Sequence, residues 1–283
     1  IDLQILEEVT TAIEVETIII KEEGETSGNA EVSFGIAFMC GILIYMFIFM
    51  YGTMVMRGVI EEKTSRIVEV IISSVKPFQL MMGKILGIAL VGLTQFMLWI
   101  VLTVIISSFA EVLFFDTTSI TSESGEMGKE QSIIVSEFLK SLAGINIPQL
   151  LSAFVFYFLG GYLLYSALFA AVGSAVDAEA DTQQFILPIT IPLILSFVLI
   201  QPIMDNPDGA LAFWMSIIPF TSPVIMMVRL PFGVASWEIL LSMGVLVSTF
   251  IATTWLAGRI YRTGILMYGK KASYKELWKW LKY

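Results

Sequence analysis

Histidine is absent from the 283 residues, and cysteine occurs once, at Cys40 inside an apolar run. Zinc sites built on His or Cys, Ser-His-Asp triads and Cys-His dyads therefore have no parts to assemble from. A disulfide within the chain is likewise impossible, and Cys40 reads as a small packing residue. Two carboxylate pairs, Glu22-Glu23 and Glu61-Glu62, have the residue types for acid/base work. Both lie in charged segments with no sign of a pocket and read as solvated faces. A phosphate-cradling loop needs Gly-Lys followed by Ser or Thr. Here Gly83-Lys84 is followed by Ile85, and Gly269-Lys270 by Lys271. The chain is read as not an enzyme, with no cofactor and no metal of its own.

The residues whose spacing does carry a signal lie between Arg57 and Lys84. Ile60, Ile67, Val68, Ile71 and Ile72 recur at three- and four-residue steps, which predicts a helix with one apolar side. Glu62 and Arg66 are four apart in the favourable order, and Arg66 and Glu69 three apart, which predicts ion pairs along it. Pro77 disfavours helical geometry at Lys76 and suits the first turn of a new helix. The expectation is a surface helix, a break near Ser73–Lys76, and a second helix entering a membrane. A helix of this kind also fits one lying passively on lipid.

Composition supplies the membrane. Apolar residues make up 57%, charged residues 14%, and the mean hydropathy is +0.83; a soluble domain is nearer about half apolar and a quarter charged. Five long runs lack Asp, Glu, Lys and Arg: Val32–Met56, Ile85–Ala110, Leu150–Val176, Thr182–Met204 and Ile239–Gly258. Roughly 20 helical residues cross the hydrocarbon, and in lipid the backbone must satisfy itself, so each run predicts a spanning helix. The fold class is thus an all-α polytopic membrane protein, with spans at about 34–56, 85–109, 150–174, 184–204 and 237–258.

Lys and Arg orient the spans, since they stay on the cytoplasmic side. Segment 57–84 and tail 259–283 together hold twelve of the sixteen basic residues. Both are therefore placed in the cytoplasm, which puts the N-terminus and loop 110–149 outside in an inner-membrane topology. The short turn Asp177–Asp181 must then be cytoplasmic although it has no basic residue. The net charge of −9 is concentrated outside: residues 1–33 hold nine acidic groups against Lys21 alone. Lipid is an expected partner of the basic side; nucleic acid is not. After the fourth run, Pro202, Pro207, Pro219, Pro223 and Pro231 interrupt an apolar stretch with Phe213, Trp214, Phe220 and Phe232. Short interfacial helices anchored by aromatics are expected there.

The spans offer no ionisable group, only hydroxyls and amides such as Thr94, Gln95, Thr190, Ser196 and Gln201. Most such groups bond to their own helix or a neighbour. Small residues recur every four positions at Gly83/Gly87 and at Ala167/Ala171/Ala175, spacings that let helices approach closely. The chain opens on Ile with no signal-peptide pattern although residue 1 is placed outside, so a membrane helix or a signal is expected to precede it.

The string EEKTSRIVEVIISSVKPFQLMMGKILG, Glu61 to Gly87, resembles the cytoplasmic coupling segment of type-2 ABC exporter permeases, most closely the sodium-extruding branch with a large extracellular domain. Three further strings resemble the same family at matching places: GSAVDAEADTQQFILPITIP (173–192), IPFTSPVIMMVRLPFG (218–233) and RIYRTGILMYGKKASYKELWKWL (259–281). The resemblance runs from about residue 34 to the end. It implies six spans, of which the first is missing here, with 1–33 closing an extracellular domain. It also implies a second permease subunit, identical or not, and a cytoplasmic ABC ATPase subunit that holds ATP and Mg. The coupling segment would be 57–84, with Glu61, Glu62, Lys63, Arg66 and Glu69 as the ATPase contacts. The exported substrate would be sodium, a drug, a peptide or a lipid-like molecule. A secondary carrier or channel and a non-transporting anchor or sensor stand as alternatives.

Overall fold

The computed structural model describes residues 18–21, 24–27, 30–115, 146–268 and 274–280. A two-stranded antiparallel hairpin comes first, β1 (Ile18–Lys21) against β2 (Gly24–Ser27), with Ile18 opposite Ser27 and Lys21 opposite Gly24. This hairpin lies in the acidic stretch before the first apolar run; the other described elements are helices, joined by short turns. Five helices are long and apolar enough to cross a membrane: Val32–Thr64, Pro77–Ile106, Ile147–Ala175, Glu179–Val198 and Ser236–Gly264.

Helix α1 (Ala30–Thr64) outlasts its charge-free run by two turns. Its 35 residues measure about 52 Å against roughly 30 Å of hydrocarbon, so one end must project beyond it. The helix stops where hydroxyls compete for backbone: Thr64 Oγ1 donates to Ile60 O at 2.9 Å and Ser65 Oγ to Glu61 O at 2.8 Å. Arg66 then adopts the left-handed conformation, φ 57°, the one non-glycine residue to do so among those described. Helix α2 (Ile67–Ile72) is a short piece after that kink, and α3 (Pro77–Phe115) begins at the proline. The single amphipathic helix expected over this segment is therefore two helices out of phase. Val68 is buried, while Ile67 is 54% exposed.

Helix α4 (Ile147–Ala175) is the centre of the bundle, flanked most extensively by α1 and by the last long helix, α9 (Ser236–Gly264). Asn146 caps α4 by accepting from the Gln149 N–H at 3.2 Å, and Pro148 suits its first turn. Tyr157, Phe158, Tyr162, Tyr165 and Phe169 of α4 are all inaccessible. Two of the hydroxyls tie neighbours in: Tyr162 to Ile85 O at 2.8 Å and Tyr165 to Phe220 O at 2.7 Å. Expected hydroxyl pairing within a helix is seen at Thr94, Thr190 and Ser196, each donating to the carbonyl four residues back.

The fourth expected span is not one helix. A 3-10 turn (Glu179–Thr182) leads into α5 (Gln183–Val198), the chain turns at Leu199, and α6 (Ile200–Asp205) follows. Pro202 cannot donate to the carbonyl four residues earlier, which favours a break at that point. Helices α7 (Ala210–Ile217) and α8 (Ser222–Arg229) complete the Pro-rich stretch. Trp214 on α7 is exposed, as an interfacial anchor would be, but α8 corrects the expectation. Every residue of α8 is buried, packed against α1, α4 and α7. It is a core element rather than a surface one. Helix α10 (Tyr274–Trp280) closes the description, with Trp280 buried and Trp278 exposed. Most of loop 110–149 and Lys270–Ser273 of the tail lie outside the described residues.

Candidate functional site

The charged residues of the bundle collect at two ends. At the first, the projecting turns of α1, helix α2, the start of α3 and the end of α4 meet. Lys63 is 1% exposed there. Its ammonium lies 3.0 Å from an Asp177 carboxylate oxygen and donates to Ser174 O at 2.8 Å, a carbonyl at the end of α4 where cations are favoured. Two residues on, Glu179 pairs with Arg57 at 2.8 Å. Lys84, from α3, donates to Gly58 O at 2.5 Å and pairs with Glu62 at 2.8 Å. Tyr268, just beyond α9, lies 5.8 Å from the Lys63 ammonium and 5.9 Å from the Arg66 guanidinium, measured to its ring centre. Burial, reinforced by the Glu69 carboxylate and opposed by Arg66, pushes its phenol above the usual range.

Of the five residues proposed from sequence as a contact surface, the structure presents three outward: Glu61, Arg66 and Glu69. Glu62 is partly covered and turned to Lys84. Lys63 is turned inward and fully engaged, so it holds the segment in place rather than offering a face to a partner. The expected Glu62–Arg66 pairing fails because the kink at Arg66 breaks the helical register that the spacing assumed. Sequence reasoning missed Asp177, Glu179, Lys84 and Tyr268. A signal for the first two existed: an acidic turn on the basic side of the membrane needs cations from elsewhere, and Arg57 and Lys63 supply them.

None of these groups is arranged as a nucleophile, base and orienting partner. Among the described residues no group of three or more Cys, Asp or Glu could hold a metal ion. The charges pair with one another and join helices.

A family model described as ABC-2 family transporter protein matches residues 3–259. The chain belongs to the ABC-2 transporter family. Two curated relatives are the uncharacterized protein YhaP of Bacillus subtilis (strain 168), 31% identical over 91% of this chain, and the uncharacterized protein MJ1024 of Methanocaldococcus jannaschii, 30% identical over 84%. The chain covers 58% and 51% of their lengths, so it spans little more than half of each. No solved structure matches it.

The ABC-2 chain carries a second polar knot at the opposite end of the bundle. Arg229, at the close of α8, is 2% exposed. Its Nε donates to Pro207 O at 2.7 Å, and Nη1 reaches Ser216 Oγ at 2.7 Å and Glu238 at 2.9 Å. Ser242 of α9 donates to Ser216 O at 2.6 Å. Three short segments, α7, α8 and the Pro207 turn, and the start of α9 are thus fastened through one guanidinium.

Proposed function

We propose that this ABC-2 chain is the permease subunit of an ATP-driven exporter, coupled to its ATPase through Glu61, Arg66 and Glu69. The observation that carries the reading is mechanical. The outward charges sit on a kinked segment whose first part is the same unbroken helix, α1, that crosses the membrane. A push on that segment is delivered into the bundle without an intervening loop. The concentration of Lys and Arg at this end supports a cytoplasmic placement, with the Arg229 end outside. The chain's own lack of a phosphate-cradling loop supports ATP and Mg being held by a separate subunit, and a second permease subunit completes the assembly. The substrate is sodium, a drug, a peptide or a lipid-like molecule.

The test is co-purification of an ATPase subunit with the full-length permease from its native membrane. The triple reversal E61K/R66E/E69K keeps insertion and abundance, because these side chains make no ion pair within the bundle. It lowers the co-purified ATPase by roughly tenfold or more, since reversed charge at an interface costs specificity and affinity together. Wild-type recovery of the ATPase by the triple variant would leave these residues resting on lipid.

A further inference from the structure

We propose that Lys63 and Asp177 form a positioning joint that makes the coupling segment and helix α4 move as one body, so that the acidic turn 177–181 is a working part of the transmission. This rests on the exporter reading above. The joint has three kinds of contact. The first is the buried Lys63 ammonium, held between the Asp177 carboxylate and the Ser174 carbonyl. The second is the Arg57–Glu179 pair, six residues earlier on α1. The third is backbone proximity: a Cβ on Gly173 would lie 2.8 Å from Met56 O and 3.3 Å from Met56 Cα.

Stability alone accounts for the Lys63 pair, since an ammonium once buried needs a partner. It does not account for the second tie. Arg57 and Glu179 are 68% and 60% exposed, and such a pair is worth about 0–1 kcal/mol. What it adds is geometry. Two ties about 9 Å apart along α1 stop the turn from pivoting about either one. Helix α3 makes the contrast. At this end Lys84 ties it to α1, and only 11% of its spanning window is buried, against 67% for α4. Motion of the segment therefore reaches the packed centre of the bundle through α4, while α3, which continues the same chain, lies mostly outside that centre.

The experiment uses the full-length permease with its ATPase subunit in lipid, in a Cys40→Ser background, with Leu151→Cys as reporter. Leu151 is exposed near the far end of α4, roughly 35 Å from Ser174. Trapping the ATPase with ATP and vanadate changes the labelling rate of the reporter by roughly fivefold or more, the lower end of coupling between sites. Asp177→Asn abolishes that change while the ATPase stays bound, and the swap K63D/D177K restores it. A full reporter response in Asp177→Asn overturns the joint, as does an expressed swap that binds the ATPase and stays silent. Where Asp177→Asn does not accumulate, Glu179→Arg decides, since it sets a like charge against Arg57 at an exposed site. A weakened reporter response supports one rigid body, and a full response refutes it. Failure of the unmodified chain to bind any ATPase would refute the exporter reading instead.

Discussion

Arg229→Met destabilises the protein more than any other single change at a polar site, by about 3–5 kcal/mol. The substitution removes three hydrogen bonds and leaves the Glu238 carboxylate, 15% exposed, without its cation. It also releases α7, α8 and the Pro207 turn from α9. In detergent, the full chain's melting midpoint falls by about 10 °C, taking roughly 2–4 °C per kcal/mol for a chain of this size. Arg229→Lys recovers part of the loss, because one ammonium cannot reach Pro207, Ser216 and Glu238 with the guanidinium's planar fork. The double variant R229M/E238L recovers more, since removing both charges ends the cost of burying one alone. Wild-type melting of Arg229→Met would show that the knot carries no stability.

Gly173→Leu prevents accumulation of the folded protein. A Cβ there would stand 2.8 Å from the Met56 carbonyl oxygen, 3.2 Å from Val59 Cβ and 3.3 Å from Met56 Cα. Two of those three atoms are backbone, so relief requires α1 as a whole to move off α4, and with it the packing of Val55, Val59 and Phe169. Overpacking of a dense core costs about 1–3 kcal/mol where side chains can yield, and more where they cannot. Gly83→Leu is the control, because nothing lies within 4 Å of a Cβ at that position. Membrane-fraction yield and melting of the two variants check the contrast; equal behaviour would contradict the close α1–α4 approach.

That pair of glycines also marks where the sequence was readable. The Gly83/Gly87 spacing suggested a close helix contact, yet both face open space within the chain, while Ala167, Ala171 and Ala175 are buried inside α4. Spacing identifies a small face but says nothing about what lies opposite. The five apolar helices were legible because lipid imposes length and polarity on each segment separately. The same logic failed wherever a residue's role depends on a partner distant in sequence. Lys63 looked like any surface lysine of a charged segment; its burial needed Asp177, 114 positions on. Helix α8 looked like an interfacial piece because Pro219, Pro223 and Pro231 interrupt the apolar stretch around it, and only Ser216, Glu238 and Pro207 make Arg229 tolerable in a core. The kink at Arg66 was hidden by an apolar periodicity that continued through it, with Ile67 on the wrong side of the break.

We propose that this ABC-2 chain converts ATP hydrolysed on another subunit into movement of its own helices. ATP turnover by the purified full-length permease, measured alone and then with its ATPase subunit in lipid, tests it most directly. The account predicts no hydrolysis by the permease alone, turnover on adding the ATPase, and a turnover rate in the E61K/R66E/E69K complex that matches the ATPase without its permease. Hydrolysis by the permease free of any such subunit, or a wild-type rate in the triple-reversal complex, would contradict it.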